Sequence, residues 1–198
     1  LVRVLRSLGL DPAVHVPDRV TEGYGPSVEA MAALVSAGAR LVVTVDCGSG
    51  AVQPVAEAVR RGADVVVVDH HPVSETLAPA LAVVNPRRHD DLSGEIHLAA
   101  VGVTFLVAAA LVRELRRRGA FGAGLAEPDL LSLLDLVALG TVCDVVPLKG
   151  LNRAFVTKGL KVMARRDRPG LVALADAARL SGPPGAHALG FLLGPRIN

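Results

Sequence analysis

The sequence predicts an α/β fold: a doubly wound, mainly parallel sheet flanked by helices, followed by a helical segment. Three observations carry that reading. Short β-branched runs recur in the first half, at Leu41–Asp46, Asp64–Asp69 and Leu81–Asn85. Helical patterns are interspersed with them, and successive strand ends fall on the order of twenty residues apart, as βαβ units require. Beyond residue 98 the apolar residues recur at helical spacing and no strand is evident.

Taken in order, LVRVLRSLGL places Leu1, Val4, Leu5 and Leu8 on one helical face, with Gly9 as a stop. No cap and no initiator methionine precede it, and GPRIN closes on a loop, so a segment of a longer protein is expected, entered partway through a helix. Ala13–Val16 is expected as a strand. Ser27–Ala37 is expected as a helix capped by Ser27 and stopped by Gly38, and Val52–Arg61 as one stopped by Gly62. The run VVVV before Asp69 suits a strand covered on both faces, as in a parallel sheet. Ala99–Arg118 predicts a long helix, and Gly119–Gly124 a glycine-rich hinge. Pro128 opens a helix through Leu139, whose Leu130, Leu133, Leu134 and Val137 form a core face. Asn152 is expected to cap a helix running to Arg165, and Pro169 to begin one ending near Leu180. Residues 1–118 are thus expected as the α/β part of one core, and residues 119–198 as its helical continuation.

Composition narrows the class. The 198 residues are 51% hydrophobic, yet no apolar run reaches the length of a membrane span. A net charge of +2 neither demands nor excludes a nucleic-acid partner. One tyrosine and no tryptophan leave few platforms for stacking bases. Two cysteines, Cys47 and Cys143, make no disulfide framework, and the expectation is a cytoplasmic protein without a signal peptide.

In open α/β sheets, ligands bind beyond the carboxyl ends of the strands. LVVTVDCGSG delivers Asp46 there, and VVVVDHH delivers Asp69, His70 and His71. Asp144, in LGTVCDVVPL, stands among apolar neighbours, where an unpaired carboxylate is costly. Asp46, His70 and Asp144 make a mixed oxygen and nitrogen set, suited to manganese or magnesium rather than structural zinc. Asp69 is the candidate to orient an imidazole from behind. A lone strand-end aspartate is most often a cap or turn former, and a lone histidine is usually structural; two such acids beside tandem histidines shift that balance. Gly48-Ser49-Gly50 offers a nucleotide-binding alternative, but Gln53 stands where a third glycine belongs. The cysteines read as small buried thiols, and Arg113–Arg118 and Arg165–Arg168 as solvated helix faces. Arg19 and Arg196, each in a glycine- and proline-rich loop, are either phosphate clamps or salt-bridge partners.

Seven segments extend the pattern: VPDRVTEGYG, TVDCG, DHH, AAVGVTFLVAAAL, LLDLVALGTVCDVVPLKGLNR, RPGLVAL and LGFLLGPRIN. In this order they resemble the DHH phosphoesterase superfamily and, within it, the RecJ branch of bacterial single-strand-specific exonucleases. The resemblance implies a two-metal phosphodiesterase, dependent on Mn2+ or Mg2+, that degrades single-stranded DNA from the 5′ end in repair and recombination. It implies that Asp46 bridges two metals, with His70 and Asp144 as ligands of one of them. His71 would contact the scissile phosphate or leaving group, with Asp69 in support. Arg19 would lie near the 5′-phosphate and Arg196 on the nucleic-acid backbone. It further implies a monomer acting on single-stranded DNA, with a single-strand-binding protein and a helicase as partners and no membrane association. The family's first acidic motif and its C-terminal substrate-gripping domain have no counterpart here, so the segment alone is expected to be inactive. Two other readings stand beside this one: a DHH-type phosphodiesterase for oligoribonucleotides or cyclic dinucleotides, and a non-catalytic α/β binding module.

Overall fold

Three of the β-branched runs form strands: β1 at Leu41–Val45, β2 at Asp64–Val68 and β3 at Ala82–Val84. They make a parallel sheet in the order β1-β2-β3, with Val42 beside Val65, and Val67 beside Val83. The computed structural model describes residues 1–122 and 124–197, and the chain divides into two units. One is Ala13–Ile96; the other is Leu1–Pro12 together with His97–Asn198. The long helix at residues 100–117 therefore belongs to the helical unit. Ala123, inside the expected hinge, and Asn198, the end of GPRIN, lie outside the described residues.

In the sheet unit, α2 (Val28–Ser36) and α3 (Val52–Arg60) cover one face of the sheet. Ser27 caps α2 as expected, its hydroxyl oxygen accepting from Ala30 N at 3.0 Å. Met31 of α2 and Val55 and Ala58 of α3 pack against Val65 and Val67, with Val42 and Val83 at the margin. Val68 points to the opposite face and is also fully buried, so β2 is covered on both sides. Each such valine contributes about 1.5–3 kcal/mol through burial. The chain returns from β2 to β3 without a helix, through residues 69–81.

Ala13–Val16 is not a strand. It pairs with no other strand among the described residues, and Val14 and Val16 are exposed at 59% and 80%. β-Branching favours extended backbone, but a strand also needs a neighbour for its N–H and C=O groups.

The helical unit contains α1 (Val2–Ser7), α4 (Ala100–Arg117), α5 (Leu134–Cys143), α6 (Gly150–Met163), α7 (Pro169–Ala177) and the short α8 (Ala186–Ala188). Val4 of α1 packs with Ala108 and Val112 of α4, alongside Leu8, Leu130 and Leu133. A second cluster joins Ala138 and Leu139 to Val156, Met163, Leu189 and Leu193. Helices α5 and α6 touch backbone to backbone: a Cβ on Gly159 would stand 2.1 Å from the Leu134 carbonyl oxygen. A 3-10 turn at Leu130–Leu133 precedes α5, and Asp129 rather than Pro128 starts it, accepting from Leu131 N and Ser132 N.

Two other expectations are corrected here. Asn152 lies inside α6, whose first residue is Gly150, and does not cap it. It is buried, donates to the carbonyl oxygens of His97 (2.6 Å) and Pro147 (3.0 Å), and accepts from Ala99 N. It staples the loop before α4 to the start of α6. Arg168 is not on a solvated face: its guanidinium grips buried Asp135 through Nε at 2.7 Å and Nη2 at 2.9 Å. The other basic run behaves as expected, with Arg117 and Arg118 on exposed Glu114.

Candidate metal centre

The site grows from the carboxyl ends of β1 and β2. After Val45 the chain turns sharply, with Asp46 in the left-handed region at φ +61° and Gly48 at φ +111°. Gly48 is required twice over: besides its φ, a Cβ there would stand 2.5 Å from Thr44 Oγ1. Thr44 Oγ1 itself donates to the Cys47 carbonyl at 3.0 Å, closing the turn. Asp46 N continues the ladder by donating to Val68 O at 2.9 Å, while its side chain projects into solvent, 60% exposed.

β2 leads directly into Asp69, which is 2% exposed and surrounded by donors. Its Oδ2 accepts from Ser49 N at 3.0 Å. Its Oδ1 accepts from His70 N at 2.8 Å and from His71 N at 3.3 Å, and pairs with His71 Nδ1 at 2.7 Å. Burial pushes the carboxyl group up, but the hydrogen bonds from His71, Ser49 and His70 outweigh it and hold Asp69 below the ordinary carboxylate value. It is therefore a buried anion at neutral pH. Asn85, just past β3, completes the support by donating to Ser49 Oγ and to the His71 carbonyl, each at 2.9 Å.

His70 is buried and its Nε2 lies 3.4 Å from Asp46 Oδ1. His71 is half-buried, with its ring 4.6 Å from that of His70 in an edge contact. One ligand atom from each of Asp46, His70 and His71 falls within 4.8 Å of the others. Two donors that each sit about 2.1 Å from one ion stand about 3–4 Å apart, so Asp46 and His70 fit neighbouring positions on a divalent cation. The carboxylate and imidazole donors of Asp46, His70 and His71 suit manganese or magnesium.

Three further residues meet here without having stood out in the sequence. Ser49 and Asn85 tie Asp69 into the turn and the neighbouring strand; the glycine-rich GSG run that held Ser49 pointed to the place. Tyr24 donates its hydroxyl to the Asp46 carbonyl at 2.7 Å, and its oxygen lies 3.3 Å from His71 Nε2. Burial and then the Asp46 charge push its phenol up to about 12, so the hydroxyl keeps its proton.

Of the other expected residues, Arg19 belongs to the sheet unit, and Asp144 and Arg196 belong to the helical unit. The Arg19 guanidinium lies over the Tyr24 ring, 5.5 Å from its centroid, so it is in this unit and beside the centre, with no salt bridge among the described residues. Asp144 is at the C-terminal end of α5 in the helical unit and is exposed; its apolar sequence neighbours do not bury it. Arg196 is in the 3-10 turn Gly194–Arg196, donating to Leu192 O at 2.6 Å. Cys143 is half-buried, and burial raises its thiol, which makes it a poor nucleophile.

A family model described as "DHH family, N-terminal domain" matches residues 1–141. The chain is 47% identical over 205 residues to the single-stranded-DNA-specific exonuclease RecJ of Dickeya dadantii, a match covering 100% of this chain and 35% of that protein. It is 42% identical over 201 residues to the protein of the same name from Escherichia coli, again covering 100% and 35%. A crystal structure of exonuclease RecJ bound to manganese is similar at a TM-score of 0.83 and 38% identity, covering 100% of this chain and 47% of that one. The chain thus spans about a third of the length of the curated relatives it matches.

Proposed function

Because the chain belongs to the DHH family, we propose that it carries the core of a metal-dependent phosphodiesterase, a 5′-to-3′ exonuclease on single-stranded DNA. The observation that carries this is the convergence of Asp46, His70 and His71 at the carboxyl edge of a parallel sheet, over the buried Asp69 carboxylate. The relatives named as single-stranded-DNA-specific exonucleases and the manganese-bound neighbour support it.

In this reading Asp46 and His70 hold a divalent ion, Mn2+ or Mg2+, and the resemblance assigns Asp144 to the same ion. When bound, such an ion supplies Lewis-acid charge to the phosphate and acidifies a water. Asp69 fixes the His71 ring by its contact to Nδ1, with Nε2 on the side of the Tyr24 hydroxyl, 3.3 Å away. When it also carries a proton on Nε2, His71 donates that N–H to a phosphate oxygen or transfers the proton to the leaving oxygen, keeping Nδ1–H on Asp69. Arg19, held over Tyr24, and Arg196 supply positive charge for phosphates, so binding is sequence-tolerant and weakens with salt. The finer assignments follow: a cytoplasmic monomer in DNA repair and recombination, working with a single-strand-binding protein and a helicase. No helix among the described residues is long and apolar enough to cross a membrane.

The test is hydrolysis by the complete protein of 5′-phosphorylated single-stranded DNA against dinucleotides, with Mn2+. The expected result is preference for the longer strand, abolished by Asp46→Ala and by His70→Ala. Preference for dinucleotides, or full activity in both variants, would refute the assignment.

A further inference from the structure

Asp46 combines two properties that make it a demanding ligand. Its side chain is 60% exposed, and its backbone is left-handed at φ +61°, a conformation that L-residues seldom adopt. Neither property would by itself hold the carboxylate against His70. Two hydrogen bonds anchor its peptide units: Asp46 N donates to Val68 O at 2.9 Å, and the Tyr24 hydroxyl donates to Asp46 O at 2.7 Å. The first belongs to the sheet. The second comes from 22 residues upstream, from a loop with no strand or helix of its own.

That loop is seated on the strand end independently of the hydroxyl. Gly25 lies alongside the turn: a Cβ there would be in ordinary van der Waals contact with Cys47 Cβ, at 3.6 Å. The Tyr24 ring also meets the His71 ring edge-on at 5.8 Å between centroids. The ring also carries the Arg19 guanidinium. Tyr24 therefore touches the proposed ligand through its backbone, the proposed phosphate-facing histidine through its ring, and the loop arginine through cation–π contact.

The geometry points to Tyr24 as a positioning residue for metal binding: its hydroxyl locks the left-handed Asp46 peptide so that the carboxylate stays beside His70. This rests on the proposed metal site. A group that orients a metal ligand from outside the coordination sphere typically changes affinity 10- to 100-fold when removed. Tyr24→Phe deletes the hydroxyl and keeps the ring for His71 and Arg19, so it isolates the lock.

The experiment is calorimetric Mn2+ titration of the complete protein, in native form and as Tyr24→Phe and Asp46→Asn, with manganese electron paramagnetic resonance at saturating Mn2+. The expected result is that Asp46→Asn abolishes the site, whereas Tyr24→Phe weakens it about 10- to 100-fold. The expected Tyr24→Phe spectrum also differs from the native one, while its unfolding midpoint matches; a hydroxyl that only packed the loop would leave the spectrum unmoved. Native affinity and spectrum in Tyr24→Phe, with Asp46→Asn silent, would overturn the lock and leave the metal site standing. Native affinity in Asp46→Asn would overturn both.

Discussion

Replacing Asp69 tests how the two histidines are held. Asp69→Ala strands four donors: the backbone N–H groups of Ser49, His70 and His71, and the His71 Nδ1–H. Ser49 and His70 are buried, at 1% and 7% exposure. Each buried N–H left without an acceptor costs about 1–3 kcal/mol, so the pair costs about 2–6 kcal/mol; the His71 donors are half-exposed and recover water. Against a total stability of about 5–15 kcal/mol, that loss is large. Asp69→Asn is the milder companion. It keeps one acceptor oxygen and sets its amide against one group of donors, at about 1–3 kcal/mol. Urea unfolding of the metal-free chain, followed by circular dichroism, reads both. The pH dependence has a defined sign. Because the folded-state value of Asp69 is depressed, its contribution is complete above the unfolded carboxylate value of about 3.9 and is lost as pH falls further, through the folded value. The gap between the native chain and Asp69→Asn should be widest near neutrality and close in acid. If both variants unfold within about 0.5 kcal/mol of the native chain at pH 7, Asp69 is not the buried anchor described here.

Two more perturbations probe the scaffold. Gly48→Ala forces a Cβ to 2.5 Å from Thr44 Oγ1 at φ +111°, so it should destabilise by at least about 1–3 kcal/mol and weaken Mn2+ binding by displacing Asp46; unchanged unfolding and titration curves would contradict the turn geometry. Asp135→Ala leaves the Arg168 guanidinium without its carboxylate, with its side chain only 16% exposed, and should cost about 3–5 kcal/mol; a double-mutant cycle with Arg168→Leu should return part of that loss, and simple additivity would deny the pairing.

Much of this architecture was legible because its causes are local. Four valines in a row predict a strand buried on both faces, and Val65, Val67 and Val68 are fully buried. Ser27 and Pro169 predict helix starts through short-range capping and a fixed φ, and both lie where expected. The failures share a different cause. Ala13–Val16 has strand composition, but strandedness depends on a partner elsewhere in the chain. Asn152 has cap chemistry, yet hydrogen bonds to residues 97 and 99, more than fifty positions upstream, fix it inside a helix. Arg168 looked solvated because Asp135, its partner, is 33 residues away. The candidate centre divides along the same line. The strand ends that bring Asp46 and His70 together follow from alternating β and α patterns. Tyr24 does not, since nothing in GYG announces a hydroxyl bonded to a peptide 22 residues on.

The central claim is that the carboxyl edge of this sheet holds a divalent ion between Asp46 and His70. Crystals grown with Mn2+ and measured at the manganese absorption edge test it most directly. The account predicts an anomalous peak about 2.0–2.2 Å from an Asp46 carboxylate oxygen and from His70 Nε2. A manganese peak bound elsewhere, with this edge empty at saturating Mn2+, would contradict it.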